Sequence, residues 1–220
     1  MWRKTQRWSC SKVGGTIRAA SVTLALTALL LLGTLYSIVA WPASVPATVA
    51  TIEGAALTES ELALFVAWRR ADIAARLFPG ESALGAQAWQ RRVDGRKAAD
   101  VLKAAAVSDA IDAKLLQVLA VEHRLLADAS WTEFERALAE ENTRRAATIA
   151  RGEPIYGPRA FGAPQFYRKR LNDLSLRLAR KLSDTGNQTA YERVAALVAS
   201  RRATARLEVD ARRLEAFAVE

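Results

Sequence analysis

The sequence predicts a mainly α protein: an N-terminal transmembrane helix, then an orthogonal multi-helix domain with a small two-strand ribbon pairing that domain's two ends. Three observations predict it. An uncharged run of 23 residues, Ala19 to Trp41, follows a basic tail. Apolar residues then recur at helical spacing behind capping sequences through most of the chain. Near both ends of that remainder the residue types change to those of strands.

Residues 1–18 carry Arg3, Lys4, Arg7, Lys12 and Arg18 and no acid. These five of the 32 Lys and Arg supply most of the formal +9; the rest of the chain holds 27 against 23 Asp and Glu. No dense basic block interleaved with aromatics stands out there, which argues against a nucleic-acid partner. Residues 19–41, "AASVTLALTALLLLGTLYSIVAW", are long enough to cross the hydrocarbon core, since about 20 apolar residues suffice. The basic flank sets the N-terminus in the cytoplasm and the body outside, in a single-pass topology at the inner or cytoplasmic membrane. A cleaved signal peptide is the alternative. Its apolar region is shorter, and the nearest cleavage-like site, Val45-Pro46-Ala47, has an awkward proline. A retained anchor is favoured. Cys10 is the only cysteine and precedes the span, so the body can form no internal disulfide.

Residues 42–48 read as a short, Pro-containing linker, and 49–220 as one domain. Val49, Thr51 and Ile52 favour a strand, with a turn at Glu53-Gly54. Thr58 and Glu61 form a capping box for a helix whose apolar face is Leu62, Phe65, Ile73 and Leu77. Phe78-Pro79-Gly80 stops it. A second helix runs from about Lys97 to Leu126, with Leu102, Ile111, Leu115, Leu119 and Leu126 on its stripe. Ser130 and Glu133 suggest another box, opening a helix with Trp131, Phe134 and Leu138 on its apolar edge. Glu140–Arg144 and Glu141–Arg145 are favourable i,i+4 pairs on it. Gly152 supplies a left-handed C-cap and Pro154 blocks continuation. Tyr156, in the following turn, is expected to pack inward with its hydroxyl bonded.

The cleanest stripe, Tyr167, Leu171, Leu174, Leu178 and Leu182, predicts a helix over about 164–183. A loop at 184–188 and a helix over about 189–200 follow. Then Ala203, Ala205, Leu207 and Val209 alternate with polar residues, which predicts a half-buried strand. Pairing it with Val49–Ile52 brings the domain's ends together. A last helical turn, "ARRLEAF", closes the chain.

Catalytic signals are sparse. His123 is the only histidine, without the partners of a zinc or Ser-His site. No nucleophile elbow, phosphate loop or dinucleotide fingerprint occurs. Glu140 and Glu141 read as a solvated, ion-paired face. No cofactor or metal is expected.

The run "ENTRRAATIARGEPIYGPRAF", followed by "QFYRKRL", resembles the SurA-type N-terminal chaperone domain of parvulin-class foldases, as does the opening "VATIEGAALTESEL". The resemblance covers roughly Val49 to the C-terminus. It implies a first strand paired with a returning C-terminal one, and a chaperone half without the prolyl isomerase half, whose insertion point holds only "DTGNQ".

The resulting expectation is a membrane-anchored, extracytoplasmic chaperone-like domain. It would bind unfolded or exported polypeptides without catalysis. Its candidate client-binding residues are Trp68, Trp89, Trp131, Tyr156, Phe161, Phe166 and Tyr167, each of which could instead be core packing. A cell-envelope accessory protein with one dedicated partner is the alternative; an active prolyl isomerase ranks last.

Overall fold

Strand β1 (Thr48–Ile52) and strand β2 (Ala55–Thr58) form an antiparallel hairpin with Thr51 opposite Ala56 and Ile52 opposite Ala55. Its two-residue turn, Glu53-Gly54, holds φ of 51° and 82°. Positive φ at both positions matches the right-handed twist of the strands, and Gly54 takes it without strain. The computed structural model describes residues 47–81, 84–182 and 189–219, all within the unit Pro46–Glu220. The basic tail, the apolar run 19–41, most of the linker and the loop 184–188 lie outside the described residues. Among the described residues no helix is long and apolar enough to cross a membrane.

Thr58 ends β2 and caps helix α1 (Glu59–Leu77). Its hydroxyl accepts from Glu61 N at 3.2 Å, and Glu61 Oε2 accepts from Thr58 N at 3.1 Å. The expected capping box is present. Leu62, Phe65 and Ile73 are buried on this helix. Beyond it come features without a sequence expectation: a 3-10 turn (Ala86–Gln90) and a hairpin of strands β3 (Arg92–Val93) and β4 (Arg96–Lys97). Asp94-Gly95 turns that hairpin with φ of 49° and 79°.

Helix α2 (Ala98–Glu122) is the longest element among the described residues; it packs along α1 and also touches two later helices. It stops four residues before Leu126 because Arg124 turns into the left-handed region at φ 55°. Ser130 caps helix α3 (Trp131–Ala150), accepting from Glu133 N at 3.2 Å. The box there is only half formed: Ser130 N bonds Asp128 at 3.1 Å, while Glu133 faces Arg136 and Arg170. At the other end Gly152, φ 71°, donates to Ile149 O at 2.9 Å and Glu153 N donates to Thr148 O at 3.2 Å. These paired bonds close the last turn as the sequence predicts.

Helix α4 (Ala163–Lys181) buries Tyr167, Leu174 and Leu178 of its stripe and half-buries Leu171 and Leu182. Helix α5 (Ala190–Thr204) starts on a capping box of Thr189 and Glu192. It runs four residues past the expected end at Ser200. Its final turn is held to α2, where Arg202 meets Asp112 at 2.6 Å and Arg201 meets Glu122 at 2.5 Å. Strand β5 is accordingly short, Leu207–Val209, and helix α6 (Ala211–Ala216) closes on an Asp210 cap.

β5 pairs antiparallel with β1, Ala50 opposite Val209 and Ile52 opposite Leu207. The two ends of the domain do meet, but in a sheet of three strands, β2-β1-β5. The outer strand is more open than the half-buried strand expected: Leu207 is 40% and Val209 47% exposed. The main core joins the sheet, α1, α2, and the facing aromatics of α3 and α4; a smaller cluster of Leu116, Leu119, Leu178, Ala179 and Val194 seats α5.

Candidate functional site

Five of the seven candidate aromatics come together. Trp68 touches Phe65 with ring centres 5.0 Å apart, and Phe65 meets Tyr167 at 5.8 Å. Trp131 and Tyr167 both pack on Phe134, at 4.6 and 5.1 Å, and Phe161 reaches Phe134 through Phe166. Edge-on and tilted pairs of this kind suit the charge distribution of the rings. The assembly is wall-to-wall packing between α1, α3 and α4, with Trp131, Phe166 and Tyr167 all buried. Trp68 and Phe161 are half-buried, and each is covered by a guanidinium, Arg168 at 4.8 Å and Arg145 at 4.4 Å. Trp89 stands apart, buried against Phe78.

Tyr156 corrects the inward-packing expectation: it is 94% exposed. The space beneath its turn is taken by Arg145, which lies under the loop and donates to Tyr156 O at 3.0 Å and Pro158 O at 2.6 Å. Asn142 clamps the loop's far end, accepting from Phe161 N at 2.8 Å and donating to Phe161 O at 3.0 Å. Glu141 holds Arg145 at 2.8 Å and also pairs with Arg144. Partial burial would raise the Glu141 carboxyl, but the hydrogen bonds from the two arginines outweigh it and hold it below its ordinary value. Glu140 pairs with Arg136, one turn back, rather than with Arg144. The sequence "ENTRR…YGPRAF" is thus a mechanical joint with its aromatic residue aimed at solvent.

Below the aromatic assembly lies a charged network that the sequence did not announce. Lys114, fully buried on α2, donates to Glu61 Oε1 at 2.6 Å and Ala129 O at 2.9 Å. Tyr167 donates to the same Glu61 oxygen at 3.1 Å and accepts from Gln117 at 2.6 Å. Burial first, then the adjacent Glu61 charge, push the Tyr167 phenol well above its ordinary value. The nearest cavity, beside Tyr167 and Gln117, has a volume of about 10 Å³, room for a water at most. One signal was available: Lys114 falls three residues after Ile111, on the apolar stripe of its helix.

A groove of about 570 Å³ opens between α2, α4 and α5. Ala113, Leu116, Val194 and Val198 make its apolar wall. Tyr191, 57% exposed, stands on α5 three turns from Arg202, whose ion pair with Asp112 also lines the groove. The sequence missed it because α5 has no sharp apolar stripe. Among the described residues no group of three or more His, Cys, Asp and Glu is placed to hold a metal.

No family of known proteins, no curated protein and no solved structure matches this chain.

Proposed function

We propose that this protein is a polypeptide-binding module of chaperone type, anchored by its N-terminal apolar segment and working outside the cytoplasm without covalent chemistry. The observation that carries this reading is the α2–α4–α5 groove: apolar along its wall, aromatic at Tyr191 and charged at Asp112 and Arg202. Such a surface suits an extended apolar segment with an occasional polar group. The groove is preferred to the aromatic assembly as the binding surface, since Trp131, Phe166 and Tyr167 are buried in the core.

The test is suppression of aggregation by the full-length chain in lipid nanodiscs. A chemically unfolded protein is diluted into it and light scattering followed, with empty nanodiscs as control. Suppression near stoichiometry is expected for the wild type. It should be lost in Ala199→Arg, which fills the groove from an exposed position while leaving the melting temperature in place. Full suppression by that variant, or none by the wild type, removes the reading.

A second reading, one dedicated envelope partner, is favoured by Tyr156 on its clamped loop, because an exposed aromatic on a rigid mount is an economical anchor. A single stoichiometric crosslink through position 156 in the native membrane would select it.

A further inference from the structure

The sheet β2-β1-β5 ends at β5. Glu53 N donates to Arg206 O and Asp210 N to Val49 O, both at 3.0 Å. Antiparallel ladders alternate, so Arg206, Glu208 and Asp210 turn their backbone groups toward β1. The N–H and C=O of Leu207 and Val209 therefore point away from the sheet, and among the described residues no strand lies beyond them.

The side chains follow the complementary alternation. Leu207 and Val209 stand opposite Ile52 and Ala50, both buried, and so continue the core face of β1. At β5 that face runs out from under its cover, leaving 40% and 47% of these two side chains exposed. Arg206 and Glu208 occupy the other face, exposed and without an ion-pair partner among the described residues.

We infer that β5 is a strand-addition site for an extended polypeptide of apolar–basic–apolar pattern. Two alternating apolar residues would cover Leu207 and Val209 while their backbone pairs with the free edge. The residue between them would lie opposite Glu208, where a Lys or Arg is favoured and an acid repelled. An acid one residue further on, opposite Arg206, completes an antiparallel match of the form Val-Lys-Val-Glu. In the register that aligns two copies of this edge Glu208 stands opposite itself, a like-charge contact that a Lys-bearing peptide replaces with an opposite-charge one. A short charged edge discourages indiscriminate pairing, and here the same charges would choose the partner. This surface is separate from the helix groove and does not depend on it.

The test uses the full-length chain in a mild detergent and a fluorescein-labelled decapeptide with Val-Lys-Val-Glu at its centre, read by anisotropy. Binding is expected, weakened roughly fivefold when the peptide Lys is replaced by Glu. Methylating the two peptide amides that face β5 should abolish it. Val209→Pro removes an N–H that β1 does not use, so it should block binding with an unchanged melting temperature. Glu208→Lys should reverse the preference between the two peptides. The inference is overturned if binding survives both amide methylation and Val209→Pro, or if no binding occurs. It is equally overturned if Ala199→Arg alone abolishes binding, which would place the peptide in the groove and leave the proposed function standing. Dimerisation lost in Val209→Pro, without peptide binding, would make a second copy the occupant and also overturn it.

Discussion

Lys114 and Glu61 show what a buried pair asks of its surroundings. Both are sealed from water, and the attraction between them offsets desolvation only because each is also hydrogen-bonded: Lys114 to Ala129 O, and Glu61 to Tyr167 and the backbone of Thr58. Lys114→Met should therefore destabilise the fold by about 3–5 kcal/mol, because it strands a carboxylate. Adding Glu61→Gln should recover a large part of that, as measured by urea denaturation of the single and double variants. Tyr167 carries a pH dependence of definite sign. Its phenol is raised above the ordinary 10.0 in the folded state, so its contribution is complete below that pH. It is lost as pH climbs from about 10 through the folded value. Tyr167→Phe should lower stability by about 1–3 kcal/mol at neutral pH, leaving Gln117 and Glu61 each short of a partner. It should also flatten the fall in melting temperature expected of the wild type above about pH 10.

At the scale of elements, the joint between α3 and α4 separates two kinds of residue that the sequence runs together. Arg145 and Asn142 fix the loop, while Tyr156 is carried by it. Arg145→Ala should cost about 2–3 kcal/mol of stability through two lost carbonyl contacts and the stacking on Phe161. Tyr156→Ala should leave the melting temperature nearly unchanged. Thermal unfolding of the two variants side by side checks the division, and comparable losses would contradict it. Most helices were legible because caps and stripes are local: Thr58 with Glu61, Gly152, and the Tyr167–Leu182 row all appear where sequence puts them. Asp94-Gly95, turning β3 into β4, is a hairpin signal of the same local kind. Tyr156 was not readable, because a turn sequence fixes the backbone but says nothing about which side is already filled by an arginine from another helix. The Lys114 network was hidden for a similar reason: a charge on an apolar stripe has no meaning until its partner, 53 residues away, is in place. The groove was least visible of all, being made by the gap between three helices rather than by any one of them.

Seen whole, the described body is organised around α2, with α1 along it, the aromatic faces of α3 and α4 closing the core beside it, and α5 seated on its far end. The sheet gathers the first and last strands at one place. The helical contacts are mostly between neighbours in sequence, but the ion pairs of Arg201 with Glu122 and Arg202 with Asp112 tie the last third of the chain to the middle, and the β1–β5 ladder ties it to the first.

That ladder sets an order of events during synthesis. The bond between Arg206 and Glu53 joins residues 153 positions apart, so the residues of β1 and β2 are synthesised long before their third strand. Until then β1 has a free side, with Ala50 and Ile52 lacking their neighbours. The sheet is complete only once Leu207–Val209 have been made, and a chain stalled or clipped before Leu207 would leave β1 with an open edge, the kind of surface that factors recognising unpaired strands bind.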